Sequence, residues 1–178
     1  ATVGAITEIG AKPVFIDCDD TFCMNVNLIE KKITKKTKAI MAVHFLGKSV
    51  DMGKIVKICK KKKIKLIEDC ALSLGAKYKN KHVGDFGDFG CFSFYPVKHM
   101  TTAEGGMLIT KHADLAEQIG YKKAFGVNRT HGQRKVPGVY DVNMLGFNYR
   151  MNEIQASIGI EQLKRLDGFL EKRAQNYK

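Results

Sequence analysis

Short apolar runs alternate with amphipathic stretches over the first 70 or so positions of the chain. The runs at 12–19, 37–47 and 64–71 have the length and composition of buried strands, whereas 25–33 and 51–63 carry apolar residues at helical spacing behind an Asn or Asp cap. A strand followed by one helix and then another strand makes a right-handed crossover between parallel strands. The pattern therefore predicts an α/β fold with a mostly parallel mixed sheet flanked by helices.

The pattern changes after residue 75. Asn80, which lies between two lysines, indicates a hairpin, and the glycines at 84, 87 and 90 predict a tight loop among antiparallel strands. A strand at 105–110, a helix at 112–126, a polar loop to Val139 and a long helix from Met151 follow. In the last helix Ile154, Ile158, Leu163, Leu166 and Leu170 keep near-helical spacing.

The composition is that of one globular domain. The 178 residues are 44% hydrophobic, which is enough for a single core. The chain starts at Ala1 without Met and stops inside a helical pattern, so we expect residues 1–178 to be an incomplete domain of a longer protein.

Cysteine usage and hydropathy predict a cytoplasmic protein. Five cysteines, an odd number without C-x-x-C spacing, indicate reduced thiols and no metal site. There is no secretory n-region, and no apolar run approaches the roughly 18 residues that span a bilayer. We therefore expect no membrane contact.

The net charge of +12 raises the possibility of a nucleic-acid partner. The lysines at 60–63 close a predicted helix, where the macrodipole favours cations, and those at 31–36 surround another helix end. Neither cluster has interleaved aromatic residues for base stacking. The sequence thus favours no nucleic-acid partner.

Two residues stand out as candidates for chemistry. Asp69, beside Glu68, ends a predicted parallel strand, and such strands deliver functional groups from their carboxyl ends. Lys98 follows the apolar run 91–96, and a partly desolvated lysine has a lowered pKa and a nucleophilic amine that can form a Schiff base. Taken singly, a solvent-facing carboxylate and a surface lysine remain alternatives. His44, at the end of a strand-like run, fits a hydrogen-bonded core or edge histidine.

The order of these residues resembles a known family. Asp69 after a strand, Ser93 and Lys98 after an apolar strand, and the turn Glu104-Gly105-Gly106 resemble the fold-type I pyridoxal-phosphate (PLP) enzymes, and among them the DegT/DnrJ/EryC1/StrS sugar aminotransferases. The similar stretches are AKPVFID (11–17), VHFLG (43–47), IEDCA (67–71), VGDFGDFGCFSFYPVKHMTTAEGG (83–106) and LGFNYRMNEIQASIG (145–159).

The resemblance implies a PLP-binding large domain and a role for each matched residue. Lys98 would be catalytic and would carry the cofactor as a Schiff base, and Asp69 would pair with the pyridinium nitrogen. Ser93 would bind the cofactor phosphate. Asn148 would reach the phosphate of the neighbouring subunit's cofactor, in a homodimer with shared active sites. No metal is implied. The family's phosphate-binding turn and small C-terminal domain would lie outside residues 1–178.

The activity implied is transfer of an amino group from an amino acid, with L-glutamate as the expected donor, to a nucleotide-linked keto-sugar in polysaccharide, lipopolysaccharide or amino-sugar biosynthesis. The related dehydratase branch has histidine in place of the lysine, so Lys98 favours transamination. A binding or assembly module without turnover is the third possibility. Leu72 departs from the family, which has Gln or His there against the cofactor ring, and Glu104 is either structural or orients the lysine.

Overall fold

The computed structural model describes residues 1–128, 136 and 139–177. Its helices are α1 (Thr2–Glu8), α2 (Ile29–Lys32), α3 (Met52–Lys62), α4 (Ala113–Lys122) and α5 (Glu153–Asn176). Its strands are β1 (Ala39–Val43), β2 (Lys65–Asp69), β3 (Lys77–Tyr78), β4 (Lys81–His82), β5 (Phe89–Ser93) and β6 (Gly106–Thr110). Short 3₁₀ turns lie at Val26–Leu28 and Phe45–Gly47.

Four strands form the main sheet, in the order β1-β2-β5-β6. β1 and β5 both run parallel to β2, and β6 runs antiparallel to β5. This confirms the α/β class with a mostly parallel mixed sheet. The predicted hairpin is also present, because β3 and β4 pair around Lys79 and Asn80, which both have positive φ.

The core lies between the sheet and α3. Ile40 and Leu66 on the strands are buried, as are Ile55 and Cys59 on the helix. Asp51 caps the start of α3 by accepting a hydrogen bond from the Lys54 amide at 3.2 Å. This packing fixes the carboxyl end of β2, where Asp69 lies.

The strand predicted at 12–19 is wrong. This segment has no regular secondary structure, and its one ladder contact is an isolated bridge between Cys18 and Met24. Val14 and Phe15 are 61% and 70% exposed. An apolar run becomes a strand only when a neighbour accepts its backbone hydrogen bonds, and no strand in the described part of the chain pairs with this one.

The C-terminal half confirms the predicted helices, with α4 ending earlier than expected, at Lys122. The predicted polar loop lies largely outside the described residues. α5 begins with a capping box made by Asn152 and Gln155, and none of its 24 residues is buried. Ile154, Ile160 and Leu163 are 75%, 58% and 60% exposed, so an apolar surface of this helix is uncovered in the single chain.

The five cysteines are free thiols, as predicted, and Cys23, Cys59 and Cys70 are buried. No helix within the described ranges has the length and apolar character needed to cross a membrane.

Candidate active site

Asp69 and Ser93 lie at one edge of the sheet. Asp69 is the last residue of β2 and is paired with Cys91, and Ser93 ends the adjacent parallel strand β5. The carboxyl ends of parallel strands meet at the same edge, so a carboxylate and a hydroxyl are delivered side by side. Burial and then the Asp69 charge raise the pKa of the Cys91 thiol, in keeping with this proximity.

Both oxygens of the Asp69 carboxylate accept a hydrogen bond. Oδ2 accepts from the Thr2 hydroxyl at 2.8 Å, and Oδ1 accepts from the Ala71 amide at 3.1 Å. The carboxylate is therefore held in one orientation. The sequence pattern did not single out Thr2, because Thr2 lies 67 residues from Asp69 and no local signal connects them.

Ser93 and Lys98 both keep functional atoms available. Ser93 Oγ accepts from the Tyr95 amide at 3.4 Å, and its proton has no acceptor in the part of the chain that the structure describes. Lys98 follows in a turn closed by its own amide, which donates to the Tyr95 carbonyl at 3.0 Å. Its side chain is half-buried and makes no ion pair with any described carboxylate.

The loop that carries Lys98 is closed at its base. The Phe94 amide donates to the Gly105 carbonyl at 2.9 Å, and the Thr102 amide donates back to the Phe94 carbonyl at 2.9 Å. The Thr101 amide donates to Gln162 Oε1 on α5 at 3.3 Å. The loop is thus attached both to the sheet and to the long helix, which restricts where Lys98 can move.

Two other polar residues of the loop that follows β5, His99 and Glu104, differ in exposure. His99 has a buried Nδ1 without a hydrogen-bond partner among the described residues, and its pKa is lowered by burial and then by the charges of Arg173 and Lys98. The Glu104 side chain is exposed, and its carbonyl accepts from the Thr102 hydroxyl at 2.7 Å. Glu104 therefore contributes to this turn through its backbone carbonyl.

The turn after Lys98 contains a strained residue. Ala103 has φ +65°, in the left-handed region that glycine occupies without cost. Two residues further on, Gly105 is needed for space, because a Cβ there would collide with the Thr102 hydroxyl. The loop thus keeps an unfavourable backbone conformation beside the candidate catalytic lysine.

Replacing Ala103 with glycine is expected to raise the free energy of unfolding by about 1 kcal/mol, because it relieves the left-handed alanine. Urea unfolding of the purified chain measures this. Ala116→Gly on exposed α4 is the matched control and should lower the free energy of unfolding by about 1 kcal/mol. Equal destabilisation in both variants would show that Ala103 is not strained.

Glu68, the neighbour of Asp69, points the other way and is fully buried. Oε2 accepts from His44 Nε2 at 3.0 Å and from the Gly84 amide at 2.7 Å. Oε1 accepts from the Phe86 and Gly87 amides at 2.8 Å and 2.6 Å. Burial alone would raise the pKa of Glu68, but the hydrogen bonds from His44 and these amides outweigh it and lower the pKa.

His44 is confirmed as a hydrogen-bonded core histidine. Its Nδ1 accepts from the Val50 amide at 3.2 Å, so the ring proton sits on Nε2 and is donated to Glu68. Cys70 lies close enough for its sulfur to join these two as a metal-ligand set. Both ring nitrogens and both carboxylate oxygens are already engaged, however, and burial raises the pKa of Cys70 to about 12. The cluster is a hydrogen-bonded network that ties β2 to the 84–87 loop.

Among the described residues, Asn148 makes no hydrogen bond to the other three predicted site residues. It forms an isolated bridge with Ala124, and its side-chain oxygen accepts from Arg150 Nε at 3.2 Å. The residue is exposed, as are its neighbours Leu145 (83%) and Tyr149 (72%). Within one chain, Asn148 therefore faces outward.

Solved structures of known proteins define the class of this fold. Helicobacter pylori PseC, an aminotransferase involved in the biosynthesis of pseudoaminic acid, is 35% identical with a TM-score of 0.85, over 90% of this chain and 42% of PseC. A Streptococcus pneumoniae protein assigned as a sugar aminotransferase, in its PLP form, is 31% identical with a TM-score of 0.84, over 94% of this chain and 46% of that one. The fold is that of the aminotransferases.

The family follows from the sequence as a whole. The model of the DegT/DnrJ/EryC1/StrS aminotransferase family matches residues 1–178, and the chain belongs to this family. GDP-perosamine synthase of Escherichia coli O157:H7 is 44% identical over 97% of this chain and 46% of its own length. The chain thus spans about half the length of the curated relatives it matches.

Proposed function

We propose that residues 1–178 are the incomplete cofactor-binding large domain of a PLP-dependent aminotransferase that acts on a nucleotide-linked keto-sugar. The observation that carries the proposal is the edge where Asp69 and Ser93 end neighbouring parallel strands, with the Lys98 loop directly after β5. Three relatives support a nucleotide sugar as substrate by their names, which are GDP-perosamine synthase, UDP-N-acetyl-3-dehydro-alpha-D-glucosamine 3-aminotransferase and UDP-4-amino-4,6-dideoxy-N-acetyl-beta-L-altrosamine transaminase.

The donor set fits PLP. A carboxylate suits a protonated pyridine nitrogen, a hydroxyl with a free proton suits a phosphate, and a half-buried amine without an ion pair suits an aldehyde. Judged against the described residues of the chain, Asp69, Ser93 and Lys98 supply these three groups. When bound, PLP supplies an aldehyde for the amino group and a ring that withdraws electrons from the substrate carbon.

Each residue then has a defined role. The Asp69 carboxylate holds the proton on the ring nitrogen, and the Ser93 hydroxyl donates to the phosphate. Lys98 Nζ holds the cofactor between turnovers and carries a proton to and from the substrate carbon. The amino acid leaves as a 2-oxo acid, and the keto-sugar leaves as an amine, with L-glutamate as the proposed donor.

The direct test incubates the intact protein with PLP, L-glutamate and a panel of nucleotide-linked keto-sugars. The expected products are 2-oxoglutarate and an amino sugar in equal amounts. A deoxygenated sugar without 2-oxoglutarate would indicate a dehydratase. PLP binding without either product from any sugar or amino donor would indicate a binding module.

Asp69→Asn is expected to bind PLP but to slow turnover by about a hundredfold or more, because an amide cannot hold the pyridinium proton by charge. Steady-state kinetics of the intact variant measure the loss. Asp114→Asn, on the first turn of α4, is the control and should turn over normally. Near-normal turnover of Asp69→Asn would remove Asp69 as the ring partner.

A homodimer with shared sites is the second part of the proposal. Asn148 faces outward among exposed apolar residues, and the uncovered apolar surface of α5 follows it directly. Such a surface is typical of a region covered by another subunit. Asn148 would then bind the phosphate in its neighbour's site.

Mixing two inactive variants of the intact protein, Lys98→Ala and Asn148→Ala, tests the shared site. Each hybrid dimer has one site with both residues intact, so about half of the wild-type activity per hybrid should return after subunit exchange. Homodimers of each variant, treated identically, provide the baseline. Exchange without any recovery would place Asn148 outside the neighbour's site.

A further inference from the structure

Thr2 makes a long-range side-chain hydrogen bond from the start of a helix. It is the first residue of α1, and its hydroxyl donates to Asp69 Oδ2 at 2.8 Å across 67 residues of sequence. The other threonine of this helix, Thr7, bonds the carbonyls of Val3 and Gly4 in its own helix. In the described part of the chain, Thr2 makes the one side-chain hydrogen bond between α1 and the sheet.

The contact adds little to the packing of the fold. None of the residues of α1 is buried, and the cap residue Ala1 makes no side-chain hydrogen bond. A helix without a buried face gains little stability from tertiary packing. The Thr2 hydroxyl therefore acts mainly on the carboxylate that it meets.

We infer that Thr2 is a positioning residue for Asp69, and this rests on the proposed role of Asp69 as partner of the pyridine nitrogen. The outer torsion of an aspartate is broad, so a carboxylate at a strand end can rotate. Thr2 on Oδ2 and the Ala71 amide on Oδ1 hold it from both sides. A carboxylate has about four acceptor positions, so two remain to receive the ring N–H.

The hydroxyl also fixes the direction of the hydrogen bond. Thr2 must donate, because an ionised carboxylate only accepts. Removing this donor leaves the carboxylate held by the Ala71 amide on one oxygen, so it can turn more easily and must be reoriented when the cofactor binds. Cofactor affinity and turnover should both fall, whereas the fold should not change.

The experiment compares Thr2→Val, Thr2→Ser and Thr7→Val in the intact protein. Valine keeps the shape of threonine and removes the hydroxyl, serine keeps the hydroxyl, and Thr7→Val makes the same change on the same helix away from Asp69. PLP dissociation constants come from titration of the apo protein followed by cofactor absorbance. The other two measurements are turnover in the presence of PLP and urea unfolding of the apo protein.

Thr2→Val is expected to weaken PLP binding and slow turnover, each by about tenfold, as for one hydrogen bond to a charged group. Its urea midpoint should equal that of the wild type. Thr2→Ser should stay within about twofold of wild type, and Thr7→Val should be indistinguishable from it. Thr2→Val behaving like Thr7→Val would overturn the inference, as would a matching loss of apo stability.

A double-variant cycle separates this inference from the proposed function. If Thr2 acts through Asp69, Thr2→Val should add nothing to the loss caused by Asp69→Asn. Additive losses would mean that Thr2 acts independently of Asp69, and they would overturn the inference. No effect of Asp69→Asn would overturn the role of Asp69 and this inference with it, whereas an effect of Asp69→Asn without one of Thr2→Val would overturn this inference alone.

Discussion

Lys98→Ala in the intact protein is expected to abolish transamination while leaving the fold in place. Loss of general acid-base catalysis alone costs about 10²–10⁴-fold, and the same change removes the amine that is proposed to hold the cofactor. The loop around Lys98 is closed through backbone groups of Phe94, Thr102 and Gly105, which the substitution leaves untouched. Activity should therefore be lost without loss of structure.

Three measurements check the role of Lys98. Turnover should fall below detection in Lys98→Ala and stay normal in Lys111→Ala, which removes an exposed lysine just after β6. Borohydride reduction of the wild-type protein should fix the cofactor to the peptide that contains Lys98. Urea unfolding of Lys98→Ala should match the wild type. Cofactor fixed to a different lysine would contradict the central assignment.

Much of the fold could be predicted, because its strands and helices produce local patterns of apolar and polar residues. Lys65–Asp69 lies inside the short run at 64–71 that follows a capped helix, and Met52–Lys62 has an Asp cap and three buried residues on one face. The segment at 12–19 has an equally apolar pattern and is not a strand. Pattern alone does not say whether a neighbouring backbone is present to accept its hydrogen bonds.

The candidate site likewise contains some residues that the sequence indicated and others that it did not. Asp69 and Lys98 stood out because the first ends a predicted strand and the second follows an apolar run, whereas Ser93 was indicated by the resemblance to the family. Thr2 and Glu68 could not be found that way, because their partners lie 67 and 24 residues away. Nothing in the pattern distinguishes Thr2 from Thr7, or tells which of Glu68 and Asp69 faces the core.

Glu68→Gln is expected to lower the free energy of unfolding by about 3–5 kcal/mol, the range for breaking a buried charged network. The carboxylate receives four donors, two on each oxygen. An amide offers one acceptor oxygen and an NH₂ group that points at two of those donors. Buried N–H groups then lose their acceptor, at about 1–3 kcal/mol each.

The control for this substitution is Glu30→Gln. Glu30 is half exposed and pairs with Lys61 at 3.5 Å, so its loss should change the free energy of unfolding by less than about 1 kcal/mol. Urea unfolding of both variants at neutral pH makes the comparison. Similar small changes in the two variants would mean that the Glu68 network does not stabilise the fold.

The pH dependence provides the sharper test of Glu68. Its pKa is lowered in the folded chain, so the folded state favours the ionised form. The resulting stability is fully present above the unfolded-state pKa, near the ordinary 4.5, and is lost as the pH falls through the folded pKa. Asp88, whose pKa is about 2, contributes in the same acidic range.

Wild-type protein should therefore lose stability as the pH falls below about 4.5, and Glu68→Gln should lose less over the same interval because its amide does not titrate. The difference in free energy of unfolding between the two proteins should narrow steadily with acid. Asp88→Asn should likewise remove only the pH-dependent stability that Asp88 contributes, which is lost between about pH 4 and pH 2. The contradicting outcome is a difference in free energy of unfolding that stays constant from pH 7 to pH 3. It would show that Glu68→Gln loses stability through packing, and not through the charge of the carboxylate that His44 and the 84–87 loop bind.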